Sequence, residues 1–302
     1  MMIPVKNESD CLMVSVVVIT WNQREDTLEC LESVFRITYP NFCVVLVDNA
    51  STDGTREAVA AQFPQVEYVA NPTNRGFSAA VNQGMKRGLE RGAEYLFLLN
   101  NDTIVDPAVL DHLMAHATDE SVGMLVPKIY YYSHPNVIWS VGAGLNVWTL
   151  EKDGEVRGCV DEGQWETVVE REHVTACAVL LPRRLTDKIG LLDERFFYYY
   201  DDADLSLRVR EAGFRTLLVP QAKIWHKVAQ ASGGVDTPYE RYWMGRSSVL
   251  FFRKHVCGWR WLIIFPYRLG SAIKTTIRLT VRRKFNVLLA YWRGLLTGLA
   301  DS

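Results

Sequence analysis

A mixed α/β fold, with a mostly parallel, doubly wound sheet flanked by helices, is predicted by three observations. Apolar runs of strand length recur at residues 14–20, 42–47, 66–70 and 95–99, and a stretch of helical length separates each from the next. The loops between them are short, as right-handed crossovers between parallel strands require. Three of the four runs end in polar residues, at Thr20, Asp48 and Asn100-Asn101-Asp102. That lines up chemistry along one sheet edge, where open α/β sheets bind their ligands.

The elements follow in order. Residues 14–20 (VSVVVIT) are a β-branched run suited to burial on both faces, and Leu28, Leu31 and Phe35 give 24–35 one apolar side. The run 42–47 stops in the polar turn 48–55 (DNASTDGT), which opens a helix at 56–62. Strand 66–70 leads through Asn71-Pro72-Thr73-Asn74-Arg75-Gly76-Phe77 into a helix at 78–91. Strand 95–99 then ends abruptly in two amides, a carboxylate and a hydroxyl. A hard carboxylate such as Asp102 at that edge can hold Mg²⁺ or Mn²⁺ against a phosphate. Followed by Asp106-Pro107, the same residues also make a good helix-entry turn, and the residues alone leave both readings open.

Beyond Pro107 a helix to about residue 117 and a strand at 122–131 are expected. Residues 138–150 read as a Gly-kinked apolar ribbon, and 151–171 as a polar surface excursion, the natural variable flap. The chain should return to the sheet at 173–181 and form a short helix over 183–190, closed by Gly190. Next, aromatic residues 196–200 run into Asp201, Asp202 and Asp204. Three clustered acids beside aromatic bulk repel one another, so one should titrate high enough to act as a general base. The same acids would equally favour a helix amino end. A last strand at 214–219 precedes Pro220 and Ile224-Trp225-His226, and Ser232-Gly233-Gly234 reads as a mobile lid or a linker.

Composition sets limits. The 302 residues are 48% hydrophobic and 23% charged, enough to bury a large core. From Arg241 onward there are twelve Lys or Arg against one acid, Asp301, or +11; the total of −2 therefore leaves −13 for residues 1–240. Six cysteines lie far apart without a Cys-x-x-Cys pair, as expected of reduced thiols in the cytoplasm. No apolar segment near the start predicts a signal peptide, and no run of eighteen apolar residues predicts a membrane span. The Gly-x-Gly-x-x-Gly and Walker patterns are both absent, which argues against a nicotinamide dehydrogenase and a P-loop phosphotransferase.

With these residues in view, the chain resembles the inverting nucleotide-sugar glycosyltransferases of family two, most closely the rhamnosyltransferase-like and galactofuranosyltransferase-like members. Six pieces carry the resemblance in register: residues 18–22 (VITWN), 47–55 (VDNASTDGT), 74–82 (NRGFSAAVN), 99–102 (LNND), 196–208 (FFYYYDDADLSLR) and Trp225-His226. It implies a GT-A type, Rossmann-like catalytic domain over 1–238, with a nucleotide-sugar half at about 14–130 and an acceptor half at about 131–238. Thr20, Trp21, Asn22, Asp48 and Arg75, with Asn100 and Asn101, would hold the nucleotide. Asp102, with His226, would bind Mg²⁺ or Mn²⁺ on the diphosphate. Asp202 would be the general base, with Asp201 and Asp204 beside it. In this chain Asn100 replaces the first carboxylate of the family's metal motif, and Asp201 stands where relatives carry Glu.

The resemblance implies transfer from dTDP-rhamnose or a UDP-sugar to a glycan or lipid-linked acceptor in cell-surface polysaccharide assembly. The missing Gln-x-x-Arg-Trp signature implies a non-processive enzyme. Asn100 keeps open a non-catalytic nucleotide-sugar scaffold or sensor on the same fold. A nucleotidyltransferase would need a Gly-rich, Arg-containing loop after the first strand, which is absent. The segment 239–302 interleaves Lys and Arg with Trp, Phe and aliphatics. It reads either as helices lying in an anionic membrane interface, which would make the protein peripheral on the inner face of the cell membrane, or as helices packed on the domain. No nucleic-acid motif accompanies the charge.

Overall fold

The computed structural model describes residues 11–228 and 236–301, so the expected Ser232-Gly233-Gly234 turn and the N-terminal ten residues lie outside the described residues. Four parallel strands build one half of a ten-stranded sheet: β1 (Val14–Thr20), β2 (Phe42–Asp48), β3 (Glu67–Ala70) and β4 (Tyr95–Asn100), in spatial order β3-β2-β1-β4. The helices α1 (Arg24–Val34), α2 (Thr55–Gln62) and α3 (Phe77–Glu90) make the crossovers. All seven residues of β1 are buried, because helices cover both faces of the sheet. Val16, Val18, Phe97 and Leu99 feed the core on one face, and Val17, Ile19, Leu96 and Leu98 feed the core on the other. Each such side chain contributes about 2 kcal/mol by leaving water.

The other half is mixed. β11 (Ala178–Pro182) lies antiparallel between β4 and β6 (Val122–Tyr131), and β12 (Arg215–His226) runs parallel to β6. The short β5 (Thr103–Val105) turns straight back from the end of β4 and pairs antiparallel with the end of β12. β7 (His134–Ser140) folds onto β6, β10 (Val169–Arg171) edges β12, and β8 (Gly144–Leu145) pairs with β9 (Lys152–Asp153). The remaining helices are α4 (Val109–Met114), α5 (Arg183–Ile189), α6 (Asp201–Glu211), α7 (Pro238–His255), α8 (Trp261–Val281) and α9 (Phe285–Ala300).

One expectation is corrected, and two others gain a physical cause. The last strand does not stop at Val219: it continues to His226, and a register shift between Val219 and Lys223 accommodates Pro220 without breaking the strand. The glycine kink expected in 138–150 falls at Gly142, which at φ +70° turns the chain after β7. The excursion at 151–171 lies at the surface as expected, with no buried residue, and buried Lys128 ties it to β6 by reaching Asp161 at 2.7 Å and Glu166 at 3.2 Å.

Candidate active site

Two adjoining cavities, of 390 and 300 Å³, open beyond the carboxyl ends of β1 and β4. Phe77, Asn100, Trp139, Arg157 and Tyr198 line both, so the two form one cleft. Asp102 and His226 stand in the smaller part, and Asp201 and Asp202 in the larger.

Sheet register explains the first pair. Because β5 pairs back on β12 with His226 opposite Thr103, His226 Nε2 comes within 3.0 Å of Asp102 Oδ1, and both side chains are buried. The Trp139 and His226 rings meet nearly at right angles, 4.5 Å between centroids. Burial opposes charge on His226, but Cys177 and Asp102 outweigh it and raise its pKa to about 10. Neither Asp102 Oδ1 nor His226 Nδ1 completes a well-formed hydrogen bond, although both are sealed from solvent. A buried carboxylate beside an imidazole whose Nδ1 lacks a hydrogen bond is a donor set that suits a cation, and Mg²⁺ or Mn²⁺ held on a diphosphate needs only one or two protein ligands. Among the described residues no three His, Cys, Asp or Glu gather as a self-sufficient metal cage.

Backbone geometry explains the second pair. Tyr199 and Tyr200 adopt left-handed conformations, φ +66° and +65°, at a cost of about 1 kcal/mol each. They swing the start of α6 so that Asp201 and Asp202 face the cleft. Asp201 is buried, and burial followed by the neighbouring Asp202 charge raises its pKa well above the usual carboxylate range. Asp202 is only half buried, and its Oδ1 accepts from Ala203 N at 2.8 Å. The aromatic run before it is anchored to the loop ahead of α3. Gly76 sits at φ +85°, where a Cβ would fall 2.6 Å from the Phe197 ring, and Phe77 N donates to Phe197 O at 2.8 Å.

Asp204 is a correction to the expected catalytic set. It is fully buried away from the cleft, and Arg208 (2.8 Å), Lys254 (2.6 Å) and His255 (2.8 Å) surround it. Burial would raise its pKa, but those partners hold it below the usual value. It fastens α6 to α7. The expected nucleotide residues divide. Thr20, Trp21, Asn100 and Asn101 line the cleft. Asn22 and Arg75 do not line it, and Asp48 borders a separate 270 Å³ hollow, accepting from Ser51 N and Oγ and from Tyr68. Asn101 Nδ2 donates to Thr27 Oγ1 at 3.0 Å, so this amide braces the loop.

Sequence reading missed Trp139, Arg157, His173 and Glu240, all of which line the cleft. Arg157 lies over Trp139 at 5.1 Å and meets Glu155 at 3.1 Å. Residues 172–177 cross the cavity before the sheet resumes at Ala178, which puts His173 in its wall. Glu240 and Met244 come from α7, so the cavity straddles the domain boundary expected at residue 238. Only Trp139 carried a signal, as a large aromatic near the polar end of an apolar run.

Residues 15–158 match the family described as Glycosyl transferase family 2. The chain is 24% identical over 306 residues to the N-acetylglucosaminyl-diphospho-decaprenol L-rhamnosyltransferase of Mycobacterium tuberculosis, across 90% of this chain and 97% of that one. It is 22% identical to the dTDP-rhamnosyl transferase RfbF of Shigella flexneri, across 79% of each. Its fold is similar to that of the mannosyltransferase PcManGT from Pyrobaculum calidifontis, solved in complex with GDP-Man and Mn²⁺. The TM-score is 0.56 at 18% identity, covering 96% of this chain and 75% of that one.

Proposed function

We propose that this chain, whose residues 15–158 match glycosyltransferase family 2, moves a deoxyhexose, rhamnose first among candidates, from a nucleoside-diphosphate donor to a lipid-linked saccharide. The observation that carries the reading is the convergence of Asp102 and His226 with Asp201 and Asp202 on one cleft. Two relatives named as rhamnosyltransferases support the sugar, and the decaprenol-linked substrate in one of their names supports the acceptor class.

In this reading Thr20, Trp21 and Asn101 border the nucleotide, and Asp102 and His226 would hold Mg²⁺ or Mn²⁺. The bound ion supplies charge neutralisation on the departing diphosphate. His226 would hold the ion only as the neutral imidazole. Asp202 accepts the proton of the acceptor hydroxyl as that oxygen bonds to the anomeric carbon. The bond from that carbon to the diphosphate oxygen breaks, its electron pair leaves with the nucleoside diphosphate, and one displacement inverts the anomeric centre. Burial, then the Asp202 charge, raises the Asp201 pKa and disfavours a second charge beside the base. We place the protein in the cytoplasm, peripheral to the inner face of the membrane that carries its acceptor.

The test is turnover. Purified chain with Mn²⁺, a panel of dTDP- and UDP-sugars and a polyprenyl-diphospho-saccharide should transfer one sugar with inversion, with dTDP-rhamnose preferred. If neither transfer nor donor hydrolysis occurs with any donor, the scaffold reading based on Asn100 replaces this one.

A further inference from the structure

Among the described residues, the most exposed apolar surface lies far along the chain from the cleft residues, on α8 and α9. On α8, Leu262, Phe265, Leu269, Ile273, Ile277 and Val281 are between 48% and 79% exposed. Their spacing of three and four residues puts them on one side of the helix, since each residue advances about 100°. On α9, Phe285, Leu289, Trp292, Leu296 and Leu299 repeat the pattern at 40% to 62% exposure. No charged residue interrupts either stripe. The opposite side of α9 carries Gly294 and Gly298 and packs closely on α7, so the exposed side is not a packing face left over by chance. A hydrogen bond from Trp292 Nε1 to Thr276 Oγ1 at 3.2 Å joins the two stripes into one face.

We propose that this two-helix face docks on an anionic lipid bilayer, with α8 and α9 lying in the interface. This deepens the peripheral placement offered above and rests on it, but its test needs no donor or acceptor. Charge selects the occupant. Residues 259–302 hold eight Lys or Arg against Asp301, and Lys274, Arg283 and Arg293 lie exposed at or near the borders of the apolar stripes. A second copy of the chain would bring the same cations against themselves, whereas anionic headgroups complement them. Aromatic Trp259, Phe265, Phe285 and Trp292 suit the interfacial depth. No described helix is long and apolar enough to cross a membrane, so the face lies on the surface.

The docked face also connects to the cleft. Arg260 donates to Val147 O at 2.5 Å, Trp148 meets Trp259 at 6.3 Å, and Arg268 pairs with Glu151 at 3.2 Å. These contacts hold the start of the loop that carries Lys152, Glu155 and Arg157 into the cavity. A lipid-linked substrate would therefore reach the cleft from the bilayer side.

Co-sedimentation of the full chain with vesicles tests this. Vesicles of phosphatidylcholine with about one-third phosphatidylglycerol should bind the chain, and pure phosphatidylcholine should bind it at least about tenfold more weakly. A Phe265→Ser, Ile273→Ser, Ile277→Ser variant, altered only at exposed positions, should lose binding by about tenfold or more while keeping its circular dichroism spectrum. An Arg283→Gln, Arg293→Gln variant should lose the anionic preference. Two results overturn the proposal: equal sedimentation of the triple-Ser and parent chains, or a lipid-free dimer by analytical ultracentrifugation that the triple-Ser variant dissolves. Failed sugar transfer with intact vesicle binding would count against the enzyme reading alone.

Discussion

Asp201 and Asp204 sit one helical turn apart, yet their surroundings separate them. Asp201 is buried beside Asp202 without a cation and is pushed toward the neutral acid. Asp204 is buried among Arg208, Lys254 and His255 and stays charged. The acid cluster was legible in sequence, but this division was not, because two of Asp204's three partners, Lys254 and His255, come from α7 some fifty residues later. His173 shows the same dependence on context. Burial, opposed by Asp202, lowers its pKa from 6.5 to about 4. Below pH 6.5 the unfolded chain takes up a proton that the folded chain refuses, so His173 costs nothing above that pH. Stability should fall as pH drops from 6.5 toward 4, by up to about 3 kcal/mol. Urea unfolding at several pH values checks this, and a His173→Gln variant should flatten the slope; an unchanged slope would contradict it.

At the scale of elements, strand ends were readable and long-range pairings were not. The apolar runs of β1, β2 and β4 stop in polar residues, and register then places Thr20 opposite Asp48 and Ile19 opposite Asn100. Nothing local announces that β5 returns onto β12, although that pairing puts His226 beside Asp102. Pro220 is normally a strand breaker, and only the register shift against β6 lets the strand run on to His226. The tail helices were legible as basic and aromatic, while the packing of α9 on α7 depends on glycines with no local signature. A Cβ on Gly294 would fall 2.1 Å from Tyr242 O, against backbone that cannot yield cheaply. Gly294→Ala should therefore loosen α9 by about 1–3 kcal/mol, seen as faster hydrogen exchange over residues 285–300 with β1 and β4 still protected. Unchanged exchange would show that α9 is held by other contacts.

Across the whole molecule, the charge split between residues 1–240 and the tail maps onto two tasks: an acidic body with a carboxylate-lined cleft, and a basic, apolar two-helix face. The account rests on that cleft having two chemically distinct sides, Asp102 with His226 for the diphosphate and Asp202 for the acceptor proton. Calorimetric titration of dTDP-rhamnose in Mn²⁺, run on Asp102→Asn and Asp202→Asn beside a transfer assay, tests this most directly. The account predicts that Asp102→Asn loses Mn²⁺-dependent donor binding by about tenfold or more, as does its transfer. It predicts that Asp202→Asn binds donor like the parent but transfers at least about a hundredfold more slowly. Parent-like transfer by Asp202→Asn, or Mn²⁺-dependent donor binding untouched in Asp102→Asn, would contradict it.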